Sequence, residues 1–210
     1  MNSSYRFATC RSDLEAFQDE LSASLDTRVR FPDWPFHVQP SHAVLYEYIR
    51  FLGGDFGEVL AQLAAAYGDA MVTVLGLEPT WDYYEVGYHA YPGFQLGPDS
   101  IARGYKEALF VEPDDDITGA LYHSLDTFAI SGDTHQWAVY GQRDWEVAVL
   151  VTTRSTGPWQ KVDIPWFPHD LDLNLIRDPE PWSMPLSEAD LATFRSNTRP
   201  HGGPELQGGV

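Results

Sequence analysis

The stretch that most constrains this chain runs from Trp137 to Val151. Trp137-Ala138-Val139-Tyr140 passes through Gly141-Gln142-Arg143-Asp144 into Trp145-Glu146-Val147-Ala148-Val149-Leu150-Val151. Aromatic and β-branched residues on either side of a short, glycine-containing connection read as an antiparallel hairpin. In the second arm Trp145, Val147, Val149 and Val151 share one face. Glu146, Ala148, Leu150 and Thr152 share the other, and only Glu146 and Thr152 there are polar. A strand apolar on both faces is expected to be covered on both faces.

Helical patterns dominate the N-terminal third. Ser12-Asp13-Leu14-Glu15 has capping-box spacing, with Ser12 as the cap, and Leu14, Phe17, Leu21 and Leu25 then follow as one stripe. Residues 28–40 contain Pro32, Pro35 and Pro40, which makes them an extended connector, with Phe31, Trp34 and Phe36 set to cover a core edge. Ser41 is read as capping a second helix through Leu45, Tyr48, Ile49 and Leu52, ended by Gly53-Gly54. Asp55 starts a third, through Leu60, Leu63, Ala64 and Tyr67, closed by Gly68. Strands are expected at Met71–Leu75, Tyr83–Tyr91 and Tyr122–Ile130, and a short helix over residues 99–109. Residues 156–186, rich in Pro and Trp, read as an ordered coil over the core. Ser187 caps a last helix reaching Asn197, with Leu186 stapled onto Leu191. The expected class is α+β, with N-terminal helices packed on a central antiparallel sheet, a Pro/Trp-rich C-terminal coil and a final helix. Residues 1–197 form one expected domain and residues 198–210 a flexible tail.

Charge narrows the function. The 210 residues carry 31 acids against 13 bases, a net charge of −18. Residues 78–146 hold thirteen of the acids and three of the bases, and the densest point is Glu112-Pro113-Asp114-Asp115-Asp116. Such a field repels phosphate backbones and anionic membrane surfaces. It favours a basic protein partner reached by salt-sensitive association. No run approaches the roughly 18 apolar residues of a membrane span. Met1–Cys10 has neither a basic start nor a hydrophobic run, so no secretory signal is expected and the expected location is cytoplasmic. A single cysteine, Cys10, excludes a disulfide scaffold.

Candidates for chemistry are sparse. Glu85 and His89 stand four apart, a spacing that aligns two ligands or an acid–base pair on a helix but separates them by about 13 Å along a strand. His169-Asp170-Leu171-Asp172 is a second candidate for metal ligation. His123, Asp133 and His135 would join Glu85 or His89 only if strands aligned them. Asp114-Asp115-Asp116 lacks the alternating acids and central glycine of an EF-hand, and reads more simply as a helix N-terminus before Ile117–Leu121. There is neither a Gly-x-Ser-x-Gly elbow nor a phosphate-binding glycine loop. No cofactor, metal or catalytic residue is expected from these patterns.

The hairpin Trp137–Leu150 resembles one found in small bacterial proteins, some of which are similar to immunity proteins of polymorphic toxin systems. The likeness spans fourteen residues. It implies an intracellular α+β protein without catalysis that binds and neutralises a toxin. Taken with the charge, the expectation is a non-enzymatic acidic protein that neutralises or scaffolds a basic partner. Its expected contacts are Asp82, Tyr83, Tyr84, Glu85, Glu112, Asp114, Asp115, Asp116, Asp133 and Asp144. The rivals are a small hydrolase or isomerase built from Glu85, His89, His123, Asp133, His135 and His169, and a structural assembly subunit.

Overall fold

The computed structural model describes residues 5–38, 40–167, 173–176 and 185–199. Eight strands form one antiparallel sheet: β1 (Tyr5–Phe7), β2 (His42–Glu47), β3 (Val72–Glu78), β4 (Gly93–Leu96), β5 (Thr127–Gly132), β6 (Trp137–Gln142), β7 (Val147–Thr152) and β8 (Trp166–Phe167). Their order across the sheet is β1-β4-β3-β5-β6-β7-β2-β8. The hairpin lies near the middle, paired from Trp137 with Thr152 to Gln142 with Val147. The strands give way to the connection slightly later than the sequence pattern suggests. Arg143–Trp145 form a single 3₁₀ turn, and Glu146 takes a left-handed φ of 54° to re-enter the sheet. Trp145 leaves the strand but stays 4% exposed, against the same core as Val147, Val149 and Val151.

Both faces of the sheet are covered. On one, Val44, Val74, Phe94, Ile130, Val139 and Leu150 pack against α2 (Tyr48–Leu52), α3 (Phe56–Tyr67) and α5 (Ile101–Leu109). On the other, Leu45, Leu75, Ala129, Tyr140 and Val149 pack against α1 (Arg11–Ser22), the connector residues Phe31 and Phe36, and α8 (Glu188–Thr198). Short helices α4 (Trp81–Tyr88), α6 (Leu121–Ser124) and α7 (Leu173–Ile176) complete the described chain. The fold is thus α+β, with helices on a central antiparallel sheet and a helix at the C-terminal end.

Several local expectations hold. The Leu14, Phe17, Leu21 and Leu25 stripe is buried, and Gly68 closes α3 with a φ of 78°, the left-handed conformation glycine adopts without strain. Ser187 caps α8 by accepting the Asp190 amide at 3.1 Å. Others are corrected. Helix α1 begins at Arg11 with Cys10 as its cap residue, so Ser12 lies inside it. There the Asp13 carboxylate reaches back to the Thr9 amide and hydroxyl, both at 2.8 Å. Residues 42–47 are a strand rather than a helix. Their continuous apolar run fits either period, and pairing with β7 on one side and β8 on the other decides it. Only Tyr48–Leu52 is helical.

Tyr83–Tyr91, read as a strand from its aromatic content, instead contains most of α4, with His89 closing the helix at a φ of 49°. Strand β4, which follows, was not expected. The segment Tyr122–Ile130 splits into the end of α6 and the start of β5. The expected coil over residues 156–186 covers the core with Trp159, 1% exposed beneath α3, but it contains a 3₁₀ turn at Pro158–Lys161, an edge strand at Trp166–Phe167 and the short helix α7, and its residues 168–172 and 177–184 lie outside the described residues. Residues 200–210 of the expected tail lie outside the described residues.

Candidate functional site

Strand register places one end of the sheet in view. β2 ends at Glu47, β3 at Glu78 and β6 at Gln142, while β5 starts at Thr127 and β7 at Val147. All five of these termini lie at the same end. The segments joining them are α2, the β3–β4 crossover carrying α4, the stretch from Phe110 to Asp126, and the hairpin turn. They gather Glu47, Glu78, Asp82, Glu85, Glu112, Asp114, Asp115, Asp116, Asp126, Asp144 and Glu146 at one pole.

Three of these carboxylates are matched by arginines: Glu47 by Arg50 at 3.3 Å, Glu78 by Arg30 at 3.0 Å and Asp126 by Arg143 at 3.0 Å. Glu85 accepts the Tyr91 hydroxyl at 2.6 Å. Asp82, Glu112, Asp114, Asp115, Asp116 and Asp144 pair with no basic residue among the described residues. The crowding is felt locally. Partial burial, helped by Asp144 and Glu78 and opposed by Arg143, raises the Asp126 carboxyl above its ordinary value. Asp116 goes the other way, because the Thr118 hydroxyl and amide donate to it at 2.7 and 2.9 Å and hold its carboxylate below the usual range.

The same pole is apolar. Among the described residues six large hydrophobic side chains are exposed, and five of them, Ile49, Tyr83, Val86, Phe110 and Ile117, lie here. Val86 is 80% exposed. Phe110 stacks on Tyr122 of α6 at 4.4 Å, and Tyr88 of α4 shares a hydrogen bond with Thr118 at 3.1 Å. Helix α4 and the Asp116 turn are therefore one surface. Between them lies an open cleft of about 570 Å³, lined by Asp82, Tyr83, Val86, Gly87, Tyr88 and Asp116.

Eight of the ten residues expected to contact a partner stand at this pole with side chains at least partly exposed: Asp82, Tyr83, Glu85, Glu112, Asp114, Asp115, Asp116 and Asp144. Two expectations are corrected. Tyr84 is 1% exposed and donates its hydroxyl to Ser124 at 3.1 Å, as the one fully buried residue of α4. Burial pushes its hydroxyl well above the ordinary range. Asp133 sits in the β5–β6 turn at the opposite end of the sheet, where it accepts the Ala70 amide at 3.0 Å. The Asp114–Asp116 run, expected as a helix N-terminus before Ile117–Leu121, precedes a single 3₁₀ turn rather than one helix over those residues. Asp114 and Asp115 have positive φ of 52° and 58°, and Asp116 caps one 3₁₀ turn, Ile117–Gly119.

The residues of the enzyme rival are not brought together. Glu85 is engaged by Tyr91, and His89 ends α4. His123 lies against Tyr122 at the end of α6, with ring centroids 4.9 Å apart. His135 is at the far end of the sheet beside Asp133. His169, Asp170 and Asp172 lie outside the described residues. Among the described residues no group of three or more His, Cys, Asp or Glu is placed to hold a metal ion.

Three features escaped sequence reasoning. Asp69, 5% exposed, accepts the Trp137 indole N–H at 2.7 Å, the Thr134 amide at 2.8 Å and the Thr134 hydroxyl at 2.5 Å. Ser24 lies 2.7 Å from the Ser131 hydroxyl and 3.2 Å from His135 Nδ1. It resembles a nucleophile beside a base, but Ser24 is 0% exposed and no substrate can reach it, so the pair is a buried polar link. A groove of about 420 Å³ between α1 and β3 is lined by Arg11, Arg28, Arg30 and Trp81. Its arginines are already matched by Glu15, Asp26 and Glu78. None of these has a local sequence signature, because each is assembled from distant segments.

Among the described residues no helix is long and apolar enough to cross a membrane. Comparison of the chain with protein-family models, with curated proteins and with solved structures finds no match.

Proposed function

We propose that the chain is a non-catalytic binding protein whose acidic pole docks a basic protein, in the manner of a cytoplasmic immunity protein that neutralises a toxin. One observation carries the reading: carboxylates without ion-pair partners among the described residues and five exposed hydrophobic side chains occupy the same end of the sheet. Either feature alone is ordinary on a protein surface. Together they form what a protein interface needs, an apolar centre that gains from leaving water and a charged surround that steers the partner in. The repulsive field argues against nucleic acid as the direct target.

The test uses the full chain as bait in a lysate of its native organism, with binding at low salt, a salt gradient and mass spectrometry. A parallel column carries the triple variant Asp114→Lys, Asp115→Lys, Asp116→Lys. A basic protein held in stoichiometric amount by the wild-type chain and lost from the variant is the expected result. Equal retention by both columns, or nothing retained by either, overturns the reading.

A further inference from the structure

Within the pole, the cleft between α4 and the Asp116 turn is shaped for one side chain rather than for a field of charge. We infer that it accepts an arginine side chain of the docked protein; this rests on the docking reading above and adds the identity of the anchoring residue. The tyrosines supply the walls. Tyr83 and Tyr88 meet edge to face, with centroids 5.6 Å apart and planes at 64°. Their hydroxyls lie 3.2 Å from each other, and Tyr88 continues to Thr118 at 3.1 Å. The wall is held in place from behind, because a Cβ at Gly119 would come within 2.5 Å of the Tyr88 ring and 2.7 Å of Pro113. Tyr88 thus packs directly on the backbone of the turn that carries Asp116.

The carboxylates supply the counter-charge. Asp82 at the start of α4 and Asp116 on the facing turn both line the cleft, and neither pairs with a base among the described residues. Gly87 and Val86 also line the cleft: a Cβ at Gly87 would meet nothing within 4 Å, and Val86 is exposed. Aromatic faces beside carboxylates match a guanidinium better than an ammonium. The planar guanidinium stacks on a ring, is weakly hydrated, and presents a fork of donors to a carboxylate. The apolar rim suits the methylene stem of the same side chain.

The experiment titrates the full chain at low salt with hexa-arginine, hexa-lysine and hexa-citrulline peptides, following backbone amide shifts by NMR. The expected result is that hexa-arginine binds roughly fivefold more tightly than hexa-lysine, because a guanidinium is more weakly hydrated, stacks flat on a ring and forks to a carboxylate, where an ammonium only sits over the ring. The shifts should centre on residues 82–88 and 116–118, and the neutral citrulline peptide should not bind. Tyr83→Leu should weaken hexa-arginine by a similar factor, whereas Tyr83→Phe, which keeps the ring but loses the hydroxyl contact to Tyr88, should weaken it less. Thermal melts of both variants check that the fold is intact. Equal affinity for the two cationic peptides, with Tyr83→Leu unchanged, overturns the cleft assignment while leaving the acidic pole as a docking surface. No binding of either cationic peptide overturns both.

Discussion

Asp69 shows how much one buried group decides. Its carboxylate joins three donors from the β5–β6 turn and β6, and so ties the end of α3 to the middle of the sheet. Gly132 stands against it: a Cβ there would collide with the carboxylate, so the absence of a side chain at 132 is what lets Asp69 in. Removing the acceptor strands the fully buried indole N–H of Trp137. Hydrogen bonds to a charged group contribute about 1.5–3 kcal/mol each, and an orphaned buried donor costs a similar amount. Asp69→Ala is therefore expected to lose roughly 3 kcal/mol in denaturant unfolding. Asp69→Asn should lose less, since its carbonyl oxygen still accepts. A loss under about 1 kcal/mol in the alanine variant would mean that solvent reaches Trp137.

At the scale of elements, the second face of the sheet depends on α8 arriving from the far end of the chain. Phe194 meets Phe31 of the connector and Trp145 of the hairpin turn, each with ring centroids 5.0 Å apart. It is 3% exposed, so its truncation leaves a cavity bounded by three distant segments. Phe194→Ala should cost about 3–5 kcal/mol, measured by thermal unfolding, whereas Ser187→Ala, which removes only the cap, should cost about 1 kcal/mol. Similar losses for the two variants would mean that α8 contributes little to the core. Both the helix and its cap were legible in the sequence, as were α1, α3, α5 and the hairpin. Each of these has a local signal of its own: an apolar stripe in α1, a stripe and a closing glycine in α3, the Ser187 cap in α8, and alternating β-branched and aromatic residues in the hairpin. The failures share a different cause. β2 is apolar on both faces, so its run of residues has no single period until β7 and β8 supply partners. α4 buries only Tyr84, so its helical stripe is nearly absent and its aromatic content suggested a strand. The candidate surface was legible in part for the same reason. Charge density is a local property and pointed to Asp82, Glu112 and Asp114–Asp116. Asp133 and Asp144 flank the same strand, β6, and so lie at opposite ends of the sheet; that separation was legible in the hairpin pattern, but charge density alone does not use it.

For the whole molecule, charge acts on folding and on binding with opposite signs. A net charge of −18 on 210 residues opposes the compact state by self-repulsion, most strongly at the pole where six carboxylates pair with no basic residue among the described residues. Salt shortens the reach of that repulsion to about 10 Å at 0.1 M and about 3 Å at 1 M. The melting temperature of the free chain should therefore rise with added sodium chloride. The same screening weakens the attraction of a basic partner, so association with hexa-arginine should slow and weaken over the same range. Reversal of Asp114, Asp115 and Asp116 to Lys removes part of the repulsion and part of the attraction together. The variant also loses the Asp116 cap on Thr118 and puts lysine at the left-handed φ of residues 114 and 115, so it is expected to melt somewhat lower at low salt but still cooperatively, to show a shallower rise in melting temperature with salt, and to bind the peptide more weakly. A variant that binds weakly because it is unfolded would show no cooperative melt above the temperature of the binding measurement, so the two measurements on one sample separate a lost docking surface from a lost fold. If salt left both the melting temperature and the peptide affinity unchanged, the acidic pole would be electrostatically inert, and its carboxylates would be serving neither folding nor recognition.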